Sequence, residues 1–124
     1  MEAGALRVLV VDDDPSIRLL CRVNLEAAGL VVDEAADGKE ALDAALEEPP
    51  DVALVDVMMP GLDGWQLAER LRASERTANV GVVFITALTG EGARERARAL
   101  GATYVSKPFD PLQLPAIVSA AAAD

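Results

Sequence analysis

Short apolar runs alternate five times along the chain with segments in which apolar positions recur at helical spacing. The runs predict five strands, and in three of them apolar residues follow one another without alternating with polar ones. Continuous apolar runs indicate strands buried on both faces, which is typical of a parallel sheet covered by helices. The predicted strands are residues 6–11, 31–35, 52–55, 80–85 and 103–105.

A residue suited to cap a helix stands before each helical segment. Its side-chain oxygen can accept a hydrogen bond from a free N–H group of the first turn. Gly29 and Gly101 stand where the first and fourth helices should end, a position that favours glycine. These signals predict an α/β three-layer sandwich, with a five-stranded parallel sheet and five helices. The predicted caps are Asp14, Asp37, Asp63, Thr89 and Asp110.

The composition fits one compact domain, expected to span residues 1–124. Hydrophobic residues make up 52% of the chain and charged residues 26%, as in globular proteins. The net charge of −10 argues against direct binding to nucleic acid or to an anionic membrane surface. No apolar run approaches the length of a signal peptide or a membrane span, so a cytoplasmic location is expected.

Cysteine and histidine usage narrows the possible chemistry. Cys21 is the only cysteine, so no internal disulfide can form, and its helical spacing indicates a small core residue. The chain has no histidine, which excludes a Ser/His/Asp triad and histidine zinc ligands. Any phosphohistidine chemistry must therefore come from a partner.

Polar residues follow four of the predicted strands. Asp12 and Asp13 follow the first strand, Asp56 the third, Thr86 the fourth, and Lys107 lies just after the fifth. The carboxyl ends of parallel strands share one edge of the sheet, where ligands of such folds bind. We therefore expect three carboxylates, a hydroxyl and an ammonium group to meet at this edge.

Carboxylates this close repel one another unless protons or a cation offset their charge. Only oxygen ligands are on offer, and Mg²⁺ suits such a site because one or two carboxylates, a phosphate and waters hold it. Ca²⁺ remains possible, although the ligands are few for it. Lys107 and Thr86 would contact the oxygens of an incoming phosphoryl group. Asp56 would then be the nucleophile, and the product an acyl phosphate.

Four stretches of the chain carry a recognisable pattern: VLVVDDDP at 8–15, DVMMPGLDG at 56–64, TA at 86–87 and KPF at 107–109. In this order and spacing they resemble the receiver domains of bacterial two-component response regulators, and the resemblance covers essentially the whole chain. It implies the flavodoxin-like strand order 2-1-3-4-5.

The resemblance also implies partners and roles. Asp56 would accept a phosphoryl group from a sensor histidine kinase or a histidine phosphotransfer protein. Asp13, Asp56 and the backbone carbonyl of Met58 would hold the Mg²⁺, and Asp12 would help through a water. Such a domain is regulatory rather than an enzyme, although it assists its own phosphorylation and dephosphorylation. The exposed side of the first helix, with Arg18 and Arg22, would be a kinase contact or simply a solvated face.

Output would follow from a movement of Thr86 toward the phosphoryl group. Tyr104 on the fifth strand would turn inward, or would be a half-buried strand residue with no such role. The change would reach the face formed by the fourth helix, fifth strand and fifth helix, where a downstream effector protein or domain would bind. Residues 112–123 carry no charge, so a monomer or a weak phosphorylation-dependent homodimer is expected.

Smaller features add further expectations. A cis bond between Lys107 and Pro108, as in the family, would turn the lysine into the site. Trp65 would be a docking aromatic or would cover the start of the third helix. The turn at 89–92 has two glycines and is expected to be mobile without phosphate. Met58 and Leu88, which would flank the phosphoryl group, are apolar, which suggests slow self-hydrolysis.

Other functional classes stay open from the sequence. The chain could be the receiver part of a longer regulator or hybrid kinase. A phosphatase of the haloacid dehalogenase type also forms an aspartyl phosphate with Mg²⁺, but it needs a second acid where Met58 stands. A flavodoxin-like cofactor binder is weaker, because no phosphate-cradling glycine loop follows the first strand.

Overall fold

Strands and helices alternate strictly along the chain. The structure is a computed structural model that describes residues 5–88 and 90–122. A short 3₁₀ helix at Pro111–Gln113 precedes the last α-helix. The elements are β1 (Arg7–Val11), α1 (Pro15–Ala27), β2 (Val31–Ala35), α2 (Gly38–Glu47), β3 (Val52–Val55), α3 (Gly64–Ala73), β4 (Gly81–Thr86), α4 (Glu91–Ala99), β5 (Thr103–Ser106) and α5 (Leu114–Ala122).

The five strands form one parallel sheet in the order β2-β1-β3-β4-β5. This confirms the flavodoxin-like, three-layer α/β fold that the sequence predicts. β1 and β3 are neighbours, with Val11 paired to Val55 in the register. The ends of these two strands therefore lie side by side at one edge of the sheet.

Successive residues of the central strands point to opposite faces, and both faces are covered. Val8 and Val10 belong to the core layer under α1 and α5, whereas Leu9 and Val11 belong to the layer under α2, α3 and α4. Burial on both sides explains why these strands are apolar without alternation. The first layer includes Cys21, Leu25, Leu114 and Val118, and the second includes Ala41, Leu67, Leu71 and Ala97.

Three of the predicted caps begin α-helices as expected. Asp63 accepts a hydrogen bond from the Gln66 N–H at 2.9 Å, and in return the Asp63 N–H donates to the Gln66 side-chain oxygen at 3.0 Å, forming a capping box. Asp14 and Asp37 cap α1 and α2 in the same way, without the returned bond. The closing glycines Gly29 and Gly101 have φ angles of 90° and 69°.

The last two helices begin differently from the prediction. α4 starts after Gly90, which offers no side-chain cap, and the predicted cap Thr89 lies outside the described residues. Asp110 caps the 3₁₀ helix rather than α5, which starts only at Leu114. Pro115 is therefore in the first turn of α5, where a missing N–H costs nothing. Within residues 5–88 and 90–122, no helix combines the length and apolar character needed to cross a lipid bilayer.

Candidate functional site

The hydrogen bonding of the sheet fixes two acids at its carboxyl edge. Asp12 donates its N–H to the Ala35 carbonyl at 3.2 Å, and Asp56 donates its N–H to the Val11 carbonyl at 2.9 Å. Both residues thus directly follow the last paired position of a buried strand. Because β1 and β3 are adjacent, the carboxylates of Asp12 and Asp56 lie close together at this edge of the sheet.

Three aspartates form one cluster there. One carboxylate oxygen from each of Asp12, Asp13 and Asp56 lies within 4.8 Å of the other two. Asp12 and Asp56 are buried, with 3% and 7% of their surface exposed, and Asp13 is exposed to solvent. The cluster is therefore open on one side and offers only oxygen ligands, so it could hold a metal ion such as Mg²⁺.

Lys107 joins the two buried acids. Its Nζ atom lies 3.3 Å from Oδ2 of Asp56 and 3.4 Å from Oδ2 of Asp12. The Lys107 N–H donates to the Thr86 carbonyl at 2.9 Å, and the peptide bond to Pro108 is cis. The lysine predicted for the site is thus directed into it.

The charges of the cluster are not balanced. Burial raises the pKa of Asp12, the N–H of Asp14 opposes this, and the neighbouring charge of Asp56 adds to it. Burial lowers the pKa of Lys107, but the carboxylates of Asp12 and Asp56 outweigh burial, so the pKa is raised overall. One ammonium group faces three carboxylates, and the excess negative charge favours a bound cation.

Backbone N–H groups orient the two buried carboxylates. Oδ1 of Asp12 accepts from the Asp14 N–H at 2.9 Å, and Oδ1 of Asp56 accepts from the Met58 N–H at 3.1 Å. Each carboxylate therefore has one oxygen held by the main chain and the other turned toward Lys107. The carbonyl of Met58, implied as a metal ligand by the family resemblance, stays a prediction.

Thr86 is fully buried at the end of β4. Its Oγ1 atom accepts a hydrogen bond from the Leu88 N–H at 3.1 Å. A hydroxyl that accepts in this way keeps its own proton for another acceptor. Thr86 can thus donate to a group placed between β3 and β5.

The loop after Asp56 is packed closely against α3. A Cβ atom on Gly64 would lie 2.6 Å from the Asp56 carbonyl oxygen and 2.6 Å from Val57 Cα, so only glycine fits. The Gly64 N–H donates to the Val57 carbonyl at 2.9 Å. In contrast, the Met58 side chain is exposed beside Asp56. The backbone of the candidate nucleophile is thus rigidly held, while one flank stays open.

Cys21, which the sequence predicts in the core, and Trp65, for which it leaves two roles open, are both buried residues with structural roles. Burial and, to a smaller degree, the charge of Asp12 raise the pKa of the Cys21 thiol to about 12, so it stays protonated. Trp65 is 5% exposed, and its ring packs against Phe84 at a centroid distance of 4.7 Å. Trp65 is therefore a core residue and not a docking aromatic.

The two arginines of α1 are not free on an exposed face. Arg18 and Arg22 both form ion pairs with Glu34 on β2. Arg18 also donates to the Asp12 carbonyl at 2.6 Å and so supports the residue that begins the site. No local sequence pattern indicates this role, because Arg18 and Glu34 lie 16 positions apart in different elements. The exposed apolar residues of α1 are instead Leu19, Leu20 and Val23.

Comparison with known proteins identifies one family. The model of the response regulator receiver domain matches residues 8–119. The chain is 40% identical over 115 residues to the DNA-binding dual master transcriptional regulator RpaA of Synechocystis. The aligned stretch covers 92% of this chain and 48% of RpaA. It is 42% identical over 110 residues to the response regulator PleD of Caulobacter vibrioides, and this stretch covers 87% of this chain and 24% of PleD. The chain thus spans about half the length, or less, of the curated relatives it matches.

Solved structures agree with the sequence relatives. A putative response regulator from Chloroflexus aurantiacus superposes with a TM-score of 0.90 at 33% identity, covering 98% of this chain and 100% of the other. The chemotaxis protein CheY4 of Vibrio cholerae gives a TM-score of 0.87 at 34% identity, covering 96% and 99%. The fold is thus shared with solved response regulator proteins over nearly the whole chain.

Proposed function

Since this chain belongs to the response regulator receiver domain family, we propose that Asp56 accepts a phosphoryl group from a sensor histidine kinase or a histidine phosphotransfer protein. Receiver domains of response regulators are generally regulatory rather than catalytic, and they interact with histidine kinases and effectors. The single observation that carries the assignment to Asp56 is its position. It is a buried carboxylate at 3.3 Å from the Lys107 ammonium and within 4.8 Å of two further acids.

The transfer is a displacement at phosphorus. A carboxylate oxygen of Asp56 forms a bond to phosphorus as the bond from phosphorus to the donor's imidazole nitrogen breaks. The imidazole keeps the electron pair of that bond and takes up a proton, and Asp56 becomes an acyl phosphate. Lys107 and the Thr86 hydroxyl neutralise and hydrogen-bond the phosphoryl oxygens.

Mg²⁺ is the cofactor we propose for the acid cluster, and receiver domains generally bind it. Asp13, Asp56 and the Met58 carbonyl would hold the ion, with Asp12 assisting through a water. When bound, Mg²⁺ supplies positive charge that offsets the carboxylates and the phosphoryl oxygens. The all-oxygen donor set supports this assignment, because three carboxylates within 4.8 Å of one another offer the ligands that Mg²⁺ prefers.

Phosphorylation would be transmitted through Thr86 and Tyr104 to the face formed by α4, β5 and α5. Tyr104 is half-buried on β5 and is paired in register with Phe84 of β4, two residues before Thr86. A downstream effector protein or domain would bind there, and the domain would assist its own dephosphorylation. We propose a monomer or a weak phosphorylation-dependent homodimer.

A phosphatase of the haloacid dehalogenase type is not favoured. The position two residues after Asp56, where that chemistry needs an acid, holds the exposed Met58. The receiver family match over residues 8–119 points away from it as well.

Labelling with acetyl phosphate tests the proposal. We expect one phosphoryl group per chain in the presence of Mg²⁺, little without it, and none in Asp56→Asn. Asp43→Asn, which changes an exposed aspartate of α2, serves as the matched control and should label like the wild type. Undiminished labelling of Asp56→Asn would refute the assignment, and steady release of phosphate without a stable label would support the phosphatase.

A further inference from the structure

Helix α4 is weakly anchored by apolar burial. Of its nine residues, all of which the structure describes, only Ala97 is buried, and Ala93 packs against the core in part. Among residues 5–88 and 90–122, no side chain caps its first turn, which follows Gly90. Something other than the hydrophobic core must therefore hold this helix in place.

Two arginines of α4 lie over aromatic rings. The guanidinium carbon of Arg94 is 4.9 Å from the centroid of the Tyr104 ring on β5. The guanidinium carbon of Arg96 is 4.8 Å from the centroid of the Trp65 ring on α3, and Arg96 also pairs with Glu69 at 3.7 Å. Residues two apart on a helix point to different sides, so these arginine–aromatic contacts hold α4 from both flanks.

Both rings are tied to the strand that ends at the site. Trp65 packs against Phe84, and Tyr104 is paired with Phe84 in the register of β4 and β5. Phe84 lies two residues before Thr86, whose hydroxyl would contact a phosphoryl group on Asp56. A shift of the end of β4 therefore reaches the partners of Arg94 and Arg96 directly.

The environment of the Tyr104 hydroxyl is unfavourable in this arrangement. Among the described residues, it is buried without a hydrogen-bond partner. A buried hydroxyl in this state gains a hydrogen bond if its surroundings change. The contact of the Tyr104 ring with Arg94 therefore favours this position of Tyr104, whereas its buried hydroxyl disfavours it. Such opposing contributions are expected of a side chain with two alternative positions.

We infer that Arg94 and Arg96 are positioning residues that hold α4 in its arrangement without a phosphoryl group, and that phosphorylation of Asp56 releases α4 from at least the Arg96–Trp65 contact. This inference rests on the proposed function. A ligand shifts an equilibrium only through its different affinity for the two states. Removing a contact made only in the unphosphorylated state must therefore strengthen binding of a phosphoryl group or its mimic.

The test uses the single tryptophan of the chain as its reporter. Beryllofluoride, a mimic of the phosphoryl group, is titrated with Mg²⁺ into the wild type, Arg96→Ala, Arg96→Lys and the control Arg98→Ala, while Trp65 emission is recorded. Arg98 is exposed on the same helix, and no aromatic contact is recorded for it among the described residues. We expect Arg96→Ala to bind beryllofluoride about two- to fivefold more tightly, the factor that corresponds to an exposed cation–π contact.

Two further results are expected if Arg96 holds α4 in this way. Arg96→Lys should restore wild-type affinity in large part, and the Trp65 emission of unliganded Arg96→Ala should resemble that of the liganded wild type. Unchanged or weaker beryllofluoride binding in Arg96→Ala, with only a lower urea midpoint, would show a structural role and overturn the inference. If the wild type itself failed to bind beryllofluoride, the proposed function would fail instead.

Discussion

The Nζ atom of Lys107 lies 3.3 Å from Oδ2 of Asp56, and the two residues are 51 positions apart in the chain. Their strands, β5 and β3, are not neighbours, because β4 lies between them. The contact therefore spans the whole width of the candidate site, over the end of the strand that carries Thr86. A phosphoryl group on Asp56 would have to share this ammonium group with the carboxylates already bound to it.

Replacement of Lys107 by methionine should separate binding of the phosphoryl group from binding of the metal. Lys107→Met keeps the length of the side chain but removes its charge. We expect beryllofluoride affinity to fall roughly tenfold or more, because a hydrogen bond to a charged group contributes about 1.5–3 kcal/mol. Mg²⁺ affinity should rise or stay unchanged, since the acids lose a competing cation.

Fluorescence titration of Trp65 measures both affinities. Lys39→Met, which removes an exposed lysine paired with Asp43 on α2, should leave both unchanged. A parallel loss of Mg²⁺ affinity in Lys107→Met would mean that the lysine supports the metal site and not the phosphoryl group.

The sequence predicts that Asp12, Asp13 and Asp56 meet, and they do lie together, because the carboxyl ends of parallel strands share one edge of the sheet. Asp12 and Asp56 each end a doubly buried strand, and parallel strands share their carboxyl edge, so the meeting of these acids required no knowledge of side-chain packing. Arg18 could not be predicted in this way. Its partners, Glu34 and the Asp12 carbonyl, depend on how α1 turns about its axis against β2.

The start and anchoring of α4 are also not predicted by the sequence, but for a different reason. The sequence places the cap of α4 at Thr89, which lies outside the described residues, and the helix begins after Gly90, whose φ is 114°. Local propensity locates helices that carry strong caps, such as α3. The contact of Arg96 on α4 with Trp65 joins residues that are distant in sequence, and no local pattern encodes it.

In the absence of a metal, the charged carboxylate of Asp12 should lower the free energy of unfolding. Its pKa is raised, chiefly by burial, so the folding stability linked to this group is fully present below pH 3.8 and is lost as the pH rises through the raised value. Asp12→Asn removes the charge. In the presence of a chelator at pH 7, we expect its free energy of unfolding to exceed that of the wild type by about 0.5–2 kcal/mol.

Urea unfolding at several pH values checks this sign. The advantage of Asp12→Asn should shrink as the pH falls toward 3.8, and Mg²⁺ should reverse it by stabilising the wild type more strongly than the variant. Asp43→Asn should show neither effect. A variant less stable than the wild type in chelator would mean that the hydrogen bond from Asp14 outweighs the charge.

Two glycines should respond in opposite ways to alanine. Gly64→Ala places a Cβ atom 2.6 Å from the Asp56 carbonyl oxygen, so we expect a loss of about 1–3 kcal/mol and slower labelling of Asp56 by acetyl phosphate. Gly92→Ala meets nothing within 4 Å in the first turn of α4 and should gain about 0.5–1 kcal/mol. Urea midpoints and labelling rates measure both; equal effects would contradict the close packing at Gly64.

The flanks of the candidate phosphoryl site are apolar. Met58 is 59% exposed next to Asp56, and Leu88 is half-buried, with its N–H bound to the Thr86 hydroxyl. Loss of the phosphoryl group requires water to attack phosphorus from the open side. Neither side chain can accept a proton or a strong hydrogen bond from that water, so the acyl phosphate should be long-lived.

Polar flanks should therefore shorten the lifetime of the aspartyl phosphate. In the double variant Met58→Asn with Leu88→Glu, an amide and a carboxylate can orient the attacking water, and we expect hydrolysis to be at least about tenfold faster. The control, Met58→Leu with Leu88→Met, exchanges one apolar pair for another and should keep the original lifetime. The rate is measured by removing the phosphoryl donor and following loss of the label at saturating Mg²⁺. An unchanged or longer lifetime in the polar variant would mean that access of water, rather than its orientation, limits the reaction.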